Sequence, residues 1–463
     1  MRRKPLIVIL AVLAIGLLFA LPVFTGKPAP ETAQIGGATA PVIADKSAMP
    51  DDMPPDDMPM QSVAEEETAM AAPPPESVVV ELAPPPTPIL VEEGTGAGDP
   101  ETLPLTSVNP ETALPTLAET DSYVVQRVFF GTDRKETEPD GSGPTFGTGR
   151  ATALSLGTAQ ITIPRKAHKS GKVERPLSIT LFRVTIPLQR EDRDKHMTIH
   201  KRSLLSPSEF RAFAGQAAAQ SQTYAGTALV FIHGFNFGFD EAVFRTAQIA
   251  HDLDFDGPAF LYSWPSQDRL ASYVTDTDSA DRAAPFMDEF LDHVFETPGV
   301  ERVHIIAHSM GNRALAGLLV RAGTRLSQRG RAFDQMILAA PDIDATIFTT
   351  VAQHFTAAAN HVTLYACGSD RALLASRKLR DDYPRAGDVP DDGPIILPGV
   401  ETIDVTGPGT TMFSLNHNAY VESHSVLADL RLILTTGLHP PAIRLPSLRE
   451  KVLERGKYWL MPE

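Results

Sequence analysis

The sequence predicts an α/β domain with a mainly parallel central sheet and helices on both faces, and three observations predict it. Short apolar, β-branched runs recur between Gly, Pro and Asp, as strands buried on both faces should: Thr227-Ala228-Leu229-Val230-Phe231-Ile232, Met336-Ile337-Leu338-Ala339 and His361-Val362-Thr363-Leu364-Tyr365-Ala366. Helix-like stretches alternate with these runs from about residue 200 onwards. The third observation is Val303-His304-Ile305-Ile306-Ala307-His308-Ser309-Met310-Gly311-Asn312, which has the form of a strand entering a sharp turn and then a helix, with one serine at the apex.

The front of the chain reads differently. Met1-Arg2-Arg3-Lys4 is basic and precedes an apolar run of 19 residues from Leu6 to Phe24. As a helix that run is about 28 Å long, enough to cross a bilayer. Residues 1–26 are therefore expected to be a signal anchor or a signal peptide. The positive flank predicts a cytoplasmic amino end and an exported remainder. Residues 27–120 carry 17 acidic residues against two lysines and are crowded with proline, so they hold nearly all of the formal net charge of −16. Such a segment cannot bury a core. It is expected to be a disordered linker reaching roughly 50–60 Å as a coil, a spacer between membrane and domain.

The folded domain is expected over residues 121–463. Tyr123–Phe130 reads as a first strand ending at Gly131-Thr132-Asp133-Arg134, followed by strands at Ala159–Ile163 and Leu177–Val184. A strand over 227–232 stops at His233-Gly234, and a helix follows from about Asp240. Asp276-Thr277-Asp278-Ser279-Ala280-Asp281 suggests a calcium loop only superficially, because it lacks the required Gly at the sixth position and Glu at the twelfth. It reads as a turn and cap before a helix through Phe286–Phe290. Beyond the serine, strands are expected over 336–339 and 361–366, and Val400–Val405 as the last strand.

The chemistry centres on Ser309. A G-x-S-x-G nucleophile elbow needs small residues two before and two after the serine, because the helix backbone passes close to the strand. Ala307 and Gly311 fill those positions. An oxyanion would be held by two backbone N–H groups, one from the residue after the nucleophile and one from the loop after an early strand. Those are Met310 and Phe235, with His233 shaping the loop rather than acting as base. A serine nucleophile needs a base, and the base an acid to orient it, in the chain order serine, acid, histidine. Asp370, two strands past the elbow, is the acid expected, with Asp342 and Asp344 as alternatives. His417, in a loop after the strand at 400–405, is the base expected, with His424 at the start of the next helix as the alternative. The Pro- and Gly-rich stretch 381–399 lies between acid and base and is a candidate cover. The single Cys367 excludes an intrachain disulfide. No zinc spacing or basic stripe is present, so no metal, cofactor or nucleic-acid partner is expected.

These residues carry a resemblance. From about Val125 to Leu434 the chain resembles a bacterial α/β-hydrolase family of the esterase/lipase superfamily, catalogued as a domain of unknown function. The matching pieces are Phe129-Phe130-Gly131-Thr132-Asp133-Arg134, Ile161-Thr162-Ile163-Pro164, His233-Gly234-Phe235-Asn236 and Tyr262-Ser263-Trp264-Pro265-Ser266. They continue with Ala307-His308-Ser309-Met310-Gly311-Asn312-Arg313, Ala339-Ala340-Pro341-Asp342-Ile343-Asp344 and Asp370–Arg377. At the base, the family tends to carry a Gly-His-Ser-Tyr-like run where this chain has Asn416-His417-Asn418-Ala419-Tyr420. The resemblance implies an α/β-hydrolase fold with Ser309, Asp370 and His417 in the triad positions. The expectation is an exported serine hydrolase of a carboxylic ester or related acyl bond, with a small-molecule or lipid-like substrate. Thioester, acyl-transfer and peptide chemistry use the same triad. The domain would be anchored at the inner membrane and face the periplasm or the cell exterior, or be secreted if the leading segment is cleaved. The contrasting expectation is a non-catalytic domain of this fold serving as a cell-envelope binding module.

Overall fold

The central sheet orders its eleven strands so that the serine turn falls near the middle. The computed structural model describes residues 117–462 apart from 182–183, 268–271, 329–332, 379–381 and 408–423. β1 (Tyr123–Asp140), β2 (Gly143–Pro164) and β5 (Thr198–Leu204) form an antiparallel flank, and β3 (Ser178–Leu181) pairs with β4 (Val184–Pro187) in a separate hairpin. Next come β6 (Thr227–Ile232), β7 (Ala259–Ser263), β8 (Arg302–His308), β9 (Phe333–Ala339), β10 (Ala359–Ala366) and β11 (Val400–Asp404). β12 (Arg449–Leu453) and β13 (Gly456–Leu460) close the chain. The sheet order is β12-β13-β11-β10-β9-β8-β6-β7-β1-β2-β5, and every pairing from β1 through to β13 is parallel.

The helices are α1 (Pro207–Gln220), α2 (Phe239–Asp252), α3 (Tyr273–Arg282), α4 (Ala284–Phe295), α5 (Gly311–Gln328), α6 (Ala345–Ala358), α7 (Arg371–Lys378), α8 (His424–Thr436) and α9 (Pro441–Arg444). Alternation along the strands feeds two cores. Val230, Ile305 and Leu338 face one core with Phe210, Leu315 and Phe348. Phe231, Ile306 and Ile337 face the other with Val243 and Leu430. Both faces are covered, which is why these strands read as unbroken apolar runs. The chain leaves β6 through α2 on one face and β8 through α5 on the other. The carboxyl ends of β6 and β8 therefore flank the crevice where such sheets place their ligands.

Three local expectations need correction. β1 does not end at Gly131–Arg134 but runs through them to Asp140, because the polar side chains there are buried with partners rather than turned to water. Leu177–Val184 is not one strand; β3 and β4 divide it. Val400–Val405 is not the last strand, since the β12–β13 hairpin extends the sheet beyond β11, with Ile403 opposite Trp459. Leu117, at the end of the expected linker, donates its N–H to Gln160 Oε1 at 2.9 Å. No helix among the described residues is long and apolar enough to cross a membrane, and the Leu6–Phe24 run lies outside them.

Candidate active site

Ser309 sits at the turn between β8 and α5 with φ +50, a left-handed conformation that costs a non-glycine residue about 1–2 kcal/mol. Such strain persists only where the surroundings over-determine it. Here they do. The Ser309 N–H donates to the Ala339 carbonyl at 2.9 Å, and the Ser309 carbonyl accepts from the backbone N–H groups of Asn312 at 3.1 Å and Asp342 at 3.2 Å. A Cβ on Gly311 would stand 2.6 Å from the His233 carbonyl oxygen, and Ala307 is fully buried between β6 and β9. The two small positions are therefore demanded by packing.

The loop after β6 meets this turn closely. A Cβ on Gly234 would lie 2.9 Å from Ser309 Cβ and 2.8 Å from His308 Nδ1. Phe235 follows, its ring edge-on to Tyr273 at 5.4 Å, and Met310 is fully buried. Among the described residues no acceptor meets the backbone N–H of Phe235 or of Met310. His233 is buried, stacked on Trp264 at 5.1 Å, with Nδ1 2.8 Å from the Gly234 carbonyl oxygen and Nε2 3.2 Å from Ser263 Oγ. Burial and the nearby Arg134 push its imidazole well below the usual range, so it stays neutral as a loop-shaping residue. Burial and Arg245 push His308 down to about 3, which removes it as a general base.

Arg134 fixes that loop from below. Its guanidinium donates to Phe237 O at 2.7 Å, Ser263 Oγ at 2.9 Å and Ser266 O at 3.0 Å, joining β1, the β6 loop and the end of β7. Asp133 beside it accepts from Tyr262 Oη at 3.0 Å and pairs with Arg282 at 2.8 Å. Asp276, expected at a turn and cap, lies instead inside α3, fully buried. It accepts from Ser266 Oγ at 2.7 Å and the Gln267 N–H at 2.9 Å, which ties α3 to the loop after β7.

The acidic candidates separate by what they already hold. Asp342 is buried and takes Arg385 Nε at 2.7 Å, Ser376 Oγ at 2.7 Å and Tyr273 Oη at 2.8 Å. Asp344 caps α6, accepting from Thr346 and Ile347 N–H groups. Asp370 is half-buried just beyond β10 and accepts from the Leu373 N–H at 3.2 Å as the cap of α7. His417 lies outside the described residues; His424 opens α8.

The candidate cover at 381–399 is anchored in its middle. Arg385–Asp388 are buried, the Ala386 and Gly387 N–H groups donate to Ile343 O at 2.8 Å and Pro341 O at 2.9 Å, and Cys367 N–H donates to Gly387 O at 2.8 Å. Arg377 pairs with Asp388 at 2.6 Å. This stretch straps the ends of β9 and β10 together. Tyr273, Ser376 and Arg385 around Asp342, and Asn312 behind the turn, were not singled out from sequence. The first three are placed by contacts across 34 to 103 residues of chain, which local pattern does not show, and Asn312 reaches Ala339 on the neighbouring strand.

Among the described residues no group of three or more His, Cys, Asp or Glu side chains is arranged to hold a metal ion. Residues 215–435 match a family described as "Alpha/beta hydrolase of unknown function (DUF900)". A search of curated proteins finds no match. Among solved structures, the chain is similar to a lipase-esterase related protein from Clostridium acetobutylicum ATCC 824, at 10% identity and a TM-score of 0.20, over 40% of this chain and 87% of that one.

Proposed function

We propose that the protein is a serine hydrolase of carboxylic esters or related acyl bonds, in keeping with the match of residues 215–435 to a family of α/β hydrolases of unknown function. The observation that supports this most is the pairing of a serine held at φ +50 with two backbone N–H groups, those of Phe235 and Met310, that meet no acceptor among the described residues. In the proposed cycle Ser309 Oγ attacks the acyl carbonyl while His417 takes its proton, and Asp370 orients the imidazole. Negative charge moves onto the carbonyl oxygen, where the Phe235 and Met310 N–H groups receive it. Collapse expels the alcohol with the proton from His417 and leaves an acyl-serine. Water, deprotonated by the same histidine, then releases the acid. Asp342 suits the acid's role less well, because Arg385, Ser376 and Tyr273 already occupy its carboxylate. Asp344 and Asp370 both cap helices, and the place of Asp370 two strands past the serine favours it.

The Leu6–Phe24 run supports the further proposal that the domain is exported and tethered at the inner membrane. Labelling of the full chain with a fluorophosphonate probe tests the chemistry. Wild type should label and Ser309→Ala should not. A folded wild type that resists labelling would favour the envelope-binding role instead. Protease added outside spheroplasts tests the topology, and a chain left intact there would contradict export.

A further inference from the structure

We infer that Asn312 is the positioning residue of the nucleophile turn, acting through its side-chain amide on the backbone of Ser309; the inference rests on the hydrolase reading above. Asn312 is the second residue of α5 and is fully buried. Its Nδ2 lies 3.0 Å from Ala307 O, 3.1 Å from Ser309 O and 3.4 Å from Ala339 O. Those three carbonyls belong to the strand entering the turn, to the nucleophile itself and to the neighbouring strand that receives the Ser309 N–H. Two amide hydrogens thus serve three acceptors that converge on one residue.

The other end of the same side chain makes the role specific. Asn312 Oδ1 is buried with no hydrogen-bond partner. An isosteric leucine would fill the space without that desolvated oxygen, so volume alone gives no reason for an amide here. Reversing the amide would aim its oxygen at three carbonyl oxygens, so the donor orientation is fixed by the site. What the amide supplies is a donor behind Ser309. It meets the same Ser309 and Ala339 carbonyl oxygens that the Asp342 and Ser309 N–H groups meet, and adds Ala307 O to the set that holds the left-handed peptide. Asn312 touches no reacting atom in this scheme. It sets where Oγ stands relative to the Phe235 and Met310 N–H groups.

The test uses the full chain, a fluorophosphonate probe and p-nitrophenyl butyrate. Asn312→Ala should acylate at least tenfold more slowly, with the loss in kcat and KM changed less than twofold. Asn312→Asp separates a donor from a filler. Ionised, its carboxylate faces three carbonyls; protonated, it regains one donor. The activity of Asn312→Asp relative to wild type should therefore rise at least tenfold from pH 8 to pH 5, while the Asn312→Ala ratio stays flat. His233, His308, Asp342 and Arg245, the titratable and charged groups around the turn, are present in every chain, so the ratio cancels their contribution. Labelling of Asn312→Ala within twofold of wild type, or a pH-independent ratio for folded Asn312→Asp, overturns the inference. So does failure of both variants to fold, which would make Asn312 a residue of the whole core. A wild-type chain that does not label at all instead overturns the hydrolase reading, and this one with it.

Discussion

Gly311 and His233 belong to different βα turns, yet a Cβ on Gly311 would stand 2.6 Å from the His233 carbonyl oxygen and 2.8 Å from that of Ile232. The obstacle is backbone on both counts, so it cannot be relieved by a rotamer change. Gly311→Ala should separate the serine turn from the Phe235 loop. We expect a stability loss of about 1–3 kcal/mol, the usual range for overpacking, with fluorophosphonate labelling lost even where the chain stays folded. Urea unfolding together with labelling of the same sample checks both.

Ser309 bears strain that glycine would not. Ser309→Gly and Ser309→Ala should both abolish acylation, but the glycine variant should be more stable than the alanine variant by about 1 kcal/mol, because only alanine retains a Cβ at φ +50. Equal denaturation midpoints would show that the turn relaxes when the hydroxyl is removed.

Asp370 and Asp342 should differ in kind. Asp370→Asn is expected to lower kcat by about 10⁴, as removal of a tautomer-fixing carboxylate does, with the unfolding midpoint little changed. Asp342→Asn leaves Arg385 buried without its counter-charge. It should therefore cost roughly 3–5 kcal/mol of stability. Paired measurement of kcat and urea midpoint on each variant decides, and the reverse pattern would move the acid's role to Asp342.

His168 provides a pH signature away from the site. Burial opposes its charge, but hydrogen bonds to Asp252 at 2.7 Å and Glu174 at 2.9 Å, and their negative charge, raise it to about 9. A pKa raised above its unfolded value near 6.5 stabilises fully below that pH, and the contribution fades as pH rises through 9. The stability difference between wild type and His168→Gln should be on the order of 2–3 kcal/mol at pH 6 and shrink steadily to pH 10. A constant difference would mean that packing alone holds the loop at 165–174 on α2.

Arg134 should resist conservative replacement. One planar group spans Phe237 O, Ser263 Oγ and Ser266 O, and a lysine cannot reach all three. We expect Arg134→Lys to be less stable by about 2 kcal/mol and slower in acylation, since the loop bearing Phe235 loses its support. Stability and labelling rates near wild type would show that Asp276 and Trp264 hold the loop without it.

The parts of this fold that were legible in the sequence are those whose reason is local. Val303–Gly311 reads correctly because strand, turn and helix each follow from neighbouring residues: apolar alternation, small residues around the serine, then helical spacing. The extension of β1 through Gly131-Thr132-Asp133-Arg134 did not show itself. A buried Asp or Arg looks like a turn residue until its partners, here Tyr262 and Ser263, are known to lie beside it 129 residues away. Asp276 misled for the same reason, since its acceptor role inside α3 depends on Ser266. The β12–β13 hairpin escaped because Arg449-Glu450-Lys451 is charged and exposed and carries no apolar face. The position of Asp370 after β10 was legible from strand counting alone. That Asp342 is committed elsewhere was not.

The chain that braces Ser309 is made after it. The Ser309 N–H and carbonyl are held by Ala339 and Asp342, Pro341 beside them is held by Gly387, and Gly387 is in turn bonded to Cys367. A nascent chain that has grown only as far as α5 therefore possesses the serine but not the elbow. The brace is complete only once Gly387 has joined, and in the proposed cycle the base His417 comes later still. A hydrolase assembled in this order would stay inert while it is still being made.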